Sequence, residues 1–157
     1  FSPGAVSEAL IALRSGALIV TDTNMGKAGI NKKALASFGG EALCFMADPD
    51  VAESARREGT TRAVASMKKA AALARETERP LILAVGNAPT ALVEICSLMD
   101  DGELSPALVI GVPVGFVNVV AAKEMLLERT VPSIVARGRK GGSNIAAAIC
   151  NALLYMA

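Results

Sequence analysis

Leu81-Ile82-Leu83-Ala84-Val85-Gly86-Asn87-Ala88-Pro89-Thr90 is a run of five apolar residues that ends in glycine and passes straight into a proline-initiated helical pattern. The run is too short for a helix and rich in residues that suit a buried strand. Proline in the first turn of a helix costs nothing, because its missing N–H would have no partner there. The segment therefore predicts strand, tight turn, helix. The same arrangement recurs twice. Residues 107–110 lead into Gly111-Val112-Pro113-Val114-Gly115-Phe116, and residues 133–137 lead into Gly138-Arg139-Lys140-Gly141-Gly142-Ser143. Side by side, three such turns line one edge of a parallel sheet, the edge at which α/β proteins bind ligands. Glycine turns allow close backbone approach, and helix starts favour negative charge. The expected ligand is anionic.

Working outward, residues 17–21 and 42–46 read as two further strands. Helical patterns run from Ser2 or Pro3 to residue 14, over 31–38 and 48–59, from Thr60 on through Ala63, Val64, Met67, Ala71 and Ala74, and over 88–100, 116–129 and 143–155, with Asn31 and Thr60 as caps and residues 22–26 as a polar loop. Five strands alternating with helices predict one three-layer α/β/α domain over residues 1–157 with a five-stranded, mainly parallel sheet. A hydrophobic fraction of 52% suits strands covered on both faces. The pattern at 143–155 carries no charge, which predicts burial by the sheet on one side and by a second subunit on the other.

Composition excludes several classes. A net charge of +1 gives no global attraction for nucleic acid, and four Phe, one Tyr and no Trp are too few for base stacking. Residues 104–122 are uncharged, but Pro106, Gly111, Pro113, Gly115 and Asn118 break the run, so no membrane span is expected. Cys44, Cys96 and Cys150 lie scattered in apolar patterns and read as buried, inert thiols of a cytoplasmic protein; no metal site is expected. GxGxxG after the first strand and GxxxxGK[ST] are both absent, and the chain contains no histidine for a Ser–His or Cys–His pair. The opening Phe1-Ser2-Pro3-Gly4 reads like the interior of a protein, which predicts further sequence upstream.

The candidate site residues follow from the turns. Arg137, Arg139 and Lys140 bracket a helix start, and Gly141, Gly142 and Ser143 leave room for close approach. Thr61 and Arg62 repeat that logic, since Arg fits a helix N-terminus poorly unless an anion neutralises it. Asn87 and Thr90 stand at the third helix start, where Asn87 can cap the helix or face a ligand. Gly115 and Phe116 stand beside them, with Phe116 free to pack beneath its own helix or to meet a ligand. Asp22 and Met25 follow the first strand at the same edge, and Asp22 can equally be a turn residue, with no burial in its polar loop to raise its pKa.

Taken together, these segments resemble the precorrin-8X methylmutase (precorrin isomerase) family of corrin-ring biosynthesis. The matching stretches are Phe1-Ser2-Pro3, Ile19-Val20-Thr21-Asp22 with Met25 and Gly29, Thr61-Arg62, Gly86-Asn87-Ala88-Pro89-Thr90-Ala91-Leu92, Pro113-Val114-Gly115-Phe116-Val117 and Gly138-Arg139-Lys140-Gly141-Gly142-Ser143. Val117-Asn118-Val119-Val120 is more similar to the cobalt-precorrin-8 branch. The resemblance implies a flavodoxin-like fold, a homodimer, and a tetrapyrrole substrate bearing several carboxylates. It implies migration of a methyl group from C-11 to C-12 of the macrocycle, giving cobyrinate or hydrogenobyrinate, with no metal or redox cofactor from the protein. It also implies a catalytic histidine before Phe1-Ser2-Pro3, so no catalytic residue is assigned within the chain and the 157 residues alone are expected to be inactive. Ala121-Ala122 replace the family's usual Glu-Ser ahead of Lys123. The competing readings are a non-catalytic module that holds a tetrapyrrole or other polyanion, and a flavodoxin-like nucleotide-binding domain.

Overall fold

The computed structural model describes residues 1–157. Five strands, β1 (Leu18–Thr21), β2 (Glu41–Leu43), β3 (Leu81–Val85), β4 (Leu108–Gly111) and β5 (Ser133–Val135), form one sheet of order β2-β1-β3-β4-β5. Every pairing is parallel, with Ile19 beside Ile82, Ala84 beside Ile110 and Ile110 beside Ile134. This is the flavodoxin-like order, in which the chain reverses its direction of travel across the sheet between β1 and β3.

Alternation along each strand sorts its side chains into two cores. Leu81, Leu83 and Val85 of β3 join Val20 and Val109 beneath α4 (Pro49–Glu58), α5 (Arg62–Thr77), α6 (Pro89–Asp100) and α7 (Val119–Leu127). Ile82 and Ala84 join Ile19 and Ile110 on the opposite face, under α1 (Ala5–Arg14), α3 (Lys32–Ser37) and α8 (Ser143–Met156). The short α2 (Asn24–Gly29) packs on α8. No helix is long and apolar enough to cross a membrane.

The structure departs from the sequence reading at element ends. The edge strands β2 and β5 stop after three residues, each paired on one side only. Helix α7 starts at Val119, since Gly115 (φ 137°) and Asn118 (φ 61°) hold the intervening residues outside the helix. Thr61, not Thr60, caps α5 by accepting from the Val64 N–H at 3.2 Å. The polar loop after β1 contains α2, which Thr23 caps by accepting from the Gly26 N–H at 3.0 Å. Helix α1 begins at Ala5 because Ser2 is engaged elsewhere: its N–H donates to the Ser133 carbonyl at 2.9 Å, and its hydroxyl accepts from the Ser133 N–H at 2.7 Å. That clasp covers part of the open β5 edge. Cys96 and Cys150 are buried, and burial pushes the Cys150 thiol up to about 12; Cys44 is only half-buried.

Helix α8 is covered on one side only. Ala146, Ala147, Cys150, Leu153 and Leu154 face the core, while Ile145, Tyr155 and Met156 are exposed, as is Ile11 on α1, the helix packed beside it.

Candidate functional site

Because all five strands run the same way, the turns that leave them gather at one edge in the order of the sheet. The turn after β1 reaches the turn after β3 through a single side chain. Asp22 is 2% exposed, and its carboxylate accepts from the Gly86, Asn87 and Ala88 N–H groups at 2.8, 2.8 and 2.6 Å. It thereby neutralises the N-terminus of α6, where the fold would otherwise offer its donors to an anion. Burial pushes the Asp22 carboxyl above its ordinary range, and the three N–H donors pull it back. Asn87 is exposed and does not cap α6, because Asp22 does that work from β1.

The glycines bring the loops against one another. A Cβ on Gly86 would stand 2.6 Å from Ser143 Cα, and one on Gly141 would overlap the Val112 carbonyl. The space that the sequence assigned to a ligand at these two positions is filled by neighbouring backbone. Gly142 N–H donates to the Val112 carbonyl at 2.9 Å, and Gly115 N–H to the Arg139 carbonyl at 3.1 Å. The chain after β5 therefore passes over the end of β4 and starts α8 above β3. There the Ser143 hydroxyl shares a 2.7 Å hydrogen bond with the Thr23 hydroxyl. The turns after β1, β3, β4 and β5 are thus locked into one rim.

The cationic and apolar candidates stand on that rim. The Arg139 guanidinium lies over the Phe116 ring, 5.4 Å from its centroid, and Phe116 itself is 82% exposed. Arg139 and Lys140 are exposed and make no ion pair, whereas Arg137 is tied to Glu124 at 3.2 Å. A cavity of about 410 Å³ opens beside them, lined by Val114, Ala136, Lys140, Gly141 and Ile145. Neither α7 nor α8 has a side-chain cap at its N-terminus. Met25 is 71% exposed on α2, the helix after β1, and Thr90 is exposed in the first turn of α6, the helix after β3.

Thr61 and Arg62 stand apart. They open α5, which runs down into β3 and so begins at the same end of the sheet, but no hydrogen bond or ion pair joins them to the other loops. The Thr61 hydroxyl is spent on capping; Arg62 is exposed and unpaired.

Two residues of the rim escaped the sequence reading. Thr23 was hidden in an apparent loop, although a Thr three residues before Gly26 is a cap signal. Lys123 lies inside a helical pattern where a cation reads as solvent-facing, yet it is fully buried and donates to the Gly138 and Lys140 carbonyls at 2.7 and 2.9 Å.

Comparison with known proteins reaches the whole chain. A family model described as precorrin-8X methylmutase matches residues 1–156. The cobalt-precorrin-8 methylmutase of Priestia megaterium is 45% identical over 157 residues, covering 100% of this chain and 68% of that protein. The Salmonella typhimurium protein of the same name is 45% identical over 155 residues, covering 99% and 70%. The crystal structure of precorrin-8x methyl mutase from Thermus thermophilus superposes with a TM-score of 0.86 at 41% identity, covering 99% of this chain and 74% of that one.

Proposed function

Since the chain belongs to the precorrin-8X methylmutase family, an isomerase family of cobalamin biosynthesis, we propose that its substrate is a polycarboxylate tetrapyrrole, in the cobalt-containing form, precorrin-8 with cobalt bound. The reaction is intramolecular. One carbon–carbon bond to the migrating methyl group breaks at C-11 and another forms at C-12, with no net change in oxidation. The protein's tasks are then to hold a broad ring rigidly and to manage protons on it.

One observation carries this reading: a rim of locked loops presents unpaired cations and exposed apolar side chains at the same sheet edge. Arg139, Lys140 and Arg62 take substrate carboxylates, assisted by the uncapped N-termini of α7 and α8. Phe116, Val114, Met25 and Ile145 meet the face of the macrocycle. Asn87 and Thr90 supply neutral hydrogen bonds, while Thr61, Gly115, Gly141, Gly142 and Ser143 shape the loops that carry these groups. Arg137 approaches the ligand after exchanging Glu124 for a substrate carboxylate. Asp22 serves indirectly, by fixing Asn87 and Thr90 at the start of α6. The nucleotide-binding alternative fits poorly, because that carboxylate already fills the crevice between β1 and β3.

Arg139→Ala is expected to weaken binding of a corrinoid carboxylate product about ten- to a hundredfold, the loss of one charge-assisted contact of about 1.5–3 kcal/mol. Titration at matched salt measures it. Equal dissociation constants for the two proteins would remove the 138–142 loop from the site.

The assembly proposed is a homodimer. An apolar face holding Tyr155 and Met156 on α8 with Ile11 on α1 is what a second copy covers. Sedimentation at micromolar concentration is expected to give about twice the chain mass, and a monomer at that concentration would refute the assignment.

A further inference from the structure

Lys123 is the one cation of this chain withdrawn completely from solvent, and nothing in the proposed binding scheme uses it. It projects from α7 beneath the turn that follows β5. Its ammonium donates to the carbonyls of Gly138 and Lys140, at 2.7 and 2.9 Å, one on each side of Arg139. The Arg139 carbonyl between them accepts from Gly115 N–H at 3.1 Å, and the Arg139 guanidinium lies over Phe116. Lys123 thus joins α7 to the loop that bears both free cations of the rim.

The arrangement is unusual in what it lacks. No carboxylate pairs with Lys123. Glu124, the next residue, is turned to Arg137 at 3.2 Å, and Ala121 and Ala122 supply no charge on the preceding turn. The charged groups facing it from the neighbouring loop, Arg139 and Lys140, are cations. Burial pushes the Lys123 amine below its ordinary range. A buried ammonium without a counter-ion is costly, and an apolar side chain of the same length is often tolerated better at such a position. What an apolar chain cannot do is hold two carbonyls and leave a net positive charge beneath the loop.

We propose that Lys123 is a positioning residue: it fixes the Gly138–Lys140 turn so that Arg139 and Lys140 are presented together, and its uncompensated charge strengthens the hold on an anionic ligand. The ligand half of this statement rests on the function proposed above; the loop half does not.

The test compares wild type with Lys123→Met, which keeps the length and loses both donors and the charge. Hydrogen exchange of the Gly115 and Gly142 amides reads the loop directly, and binding of cobyrinate and of its fully esterified form reads the charge. Expected are at least tenfold faster exchange at both amides, at least tenfold weaker cobyrinate binding, and unchanged affinity for the ester. Exchange within twofold of wild type overturns the proposal. Equal losses for acid and ester also overturn it, because they mark general damage to the site. If Lys123→Met does not fold, Lys123→Arg carries the test: affinity for the acid within threefold of wild type supports the proposal, and a tenfold loss overturns it. Failure of wild type to bind cobyrinate overturns the ligand half together with the proposed function, and amide exchange then decides the loop half alone.

Discussion

Asp22→Ala is expected to cost about 3–4 kcal/mol of folding stability and to lower the midpoint of thermal unfolding by about 10 °C. The reason lies in the donors it leaves behind. Three consecutive N–H groups, of Gly86, Asn87 and Ala88, point at one carboxylate, and the first belongs to a buried residue. Each buried donor left unsatisfied costs about 1–3 kcal/mol, and rehydration at exposed Asn87 recovers part of that sum. The start of α6 also loses the negative charge that its dipole favours. Asp22→Asn is expected to cost roughly half as much, because the amide retains one acceptor oxygen and turns its NH₂ toward a donor. Denaturant unfolding of the three proteins measures both values. A loss below about 1 kcal/mol for the alanine variant would mean that water replaces the carboxylate at no great expense.

The second large effect concerns turnover. A polypeptide of residues 1–157 is expected to bind the corrin product yet to isomerise cobalt-precorrin-8 about 10²–10⁴-fold more slowly than the Priestia megaterium relative does, the usual cost of a lost general acid. The resemblance assigns that role to a histidine, and these residues contain none. The rim offers poor substitutes. Both Asp22 oxygens are committed to backbone donors, and the Thr23 and Ser143 hydroxyls to each other. Positioning still contributes, so the residual rate stays above that in solution. The appearance of the corrin spectrum follows the reaction. Turnover equal to that of the relative would place the proton source within residues 1–157.

Much of this was legible in the chain. Leu81–Val85 was bounded correctly because a central strand ends where its apolar run meets a glycine and a proline-started helix. The parallel sheet and the edge that gathers the loops followed from repetition of that pattern. What local sequence could not show was partnership across strands. Gly86 and Gly141 looked like openings for a ligand, but the atoms beside them belong to Ser143 and Val112, dozens of residues away along the chain. Asp22 looked like a turn residue because its three donors lie beyond residue 85. Lys123 broke no helical pattern, since periodicity cannot distinguish a cation facing water from one facing two carbonyls. The uncharged stretch of α8 correctly signalled a core face, though its other side stays open in the single chain.

The Asp22 contact also bears on which molecules the protein turns away. Free phosphate and nucleotides are abundant, and the reversal point of a sheet with this strand order is a natural lodging for their phosphoryl groups. Here a tethered decoy already occupies it. An arriving phosphoryl group would meet a negative charge with the donors already engaged, so weak binding of small anions at this point is the expected consequence. A wide ligand that spreads its charges outward never enters that contest. Discrimination between the two then comes from where the anionic groups sit on the molecule, with no separate gate required.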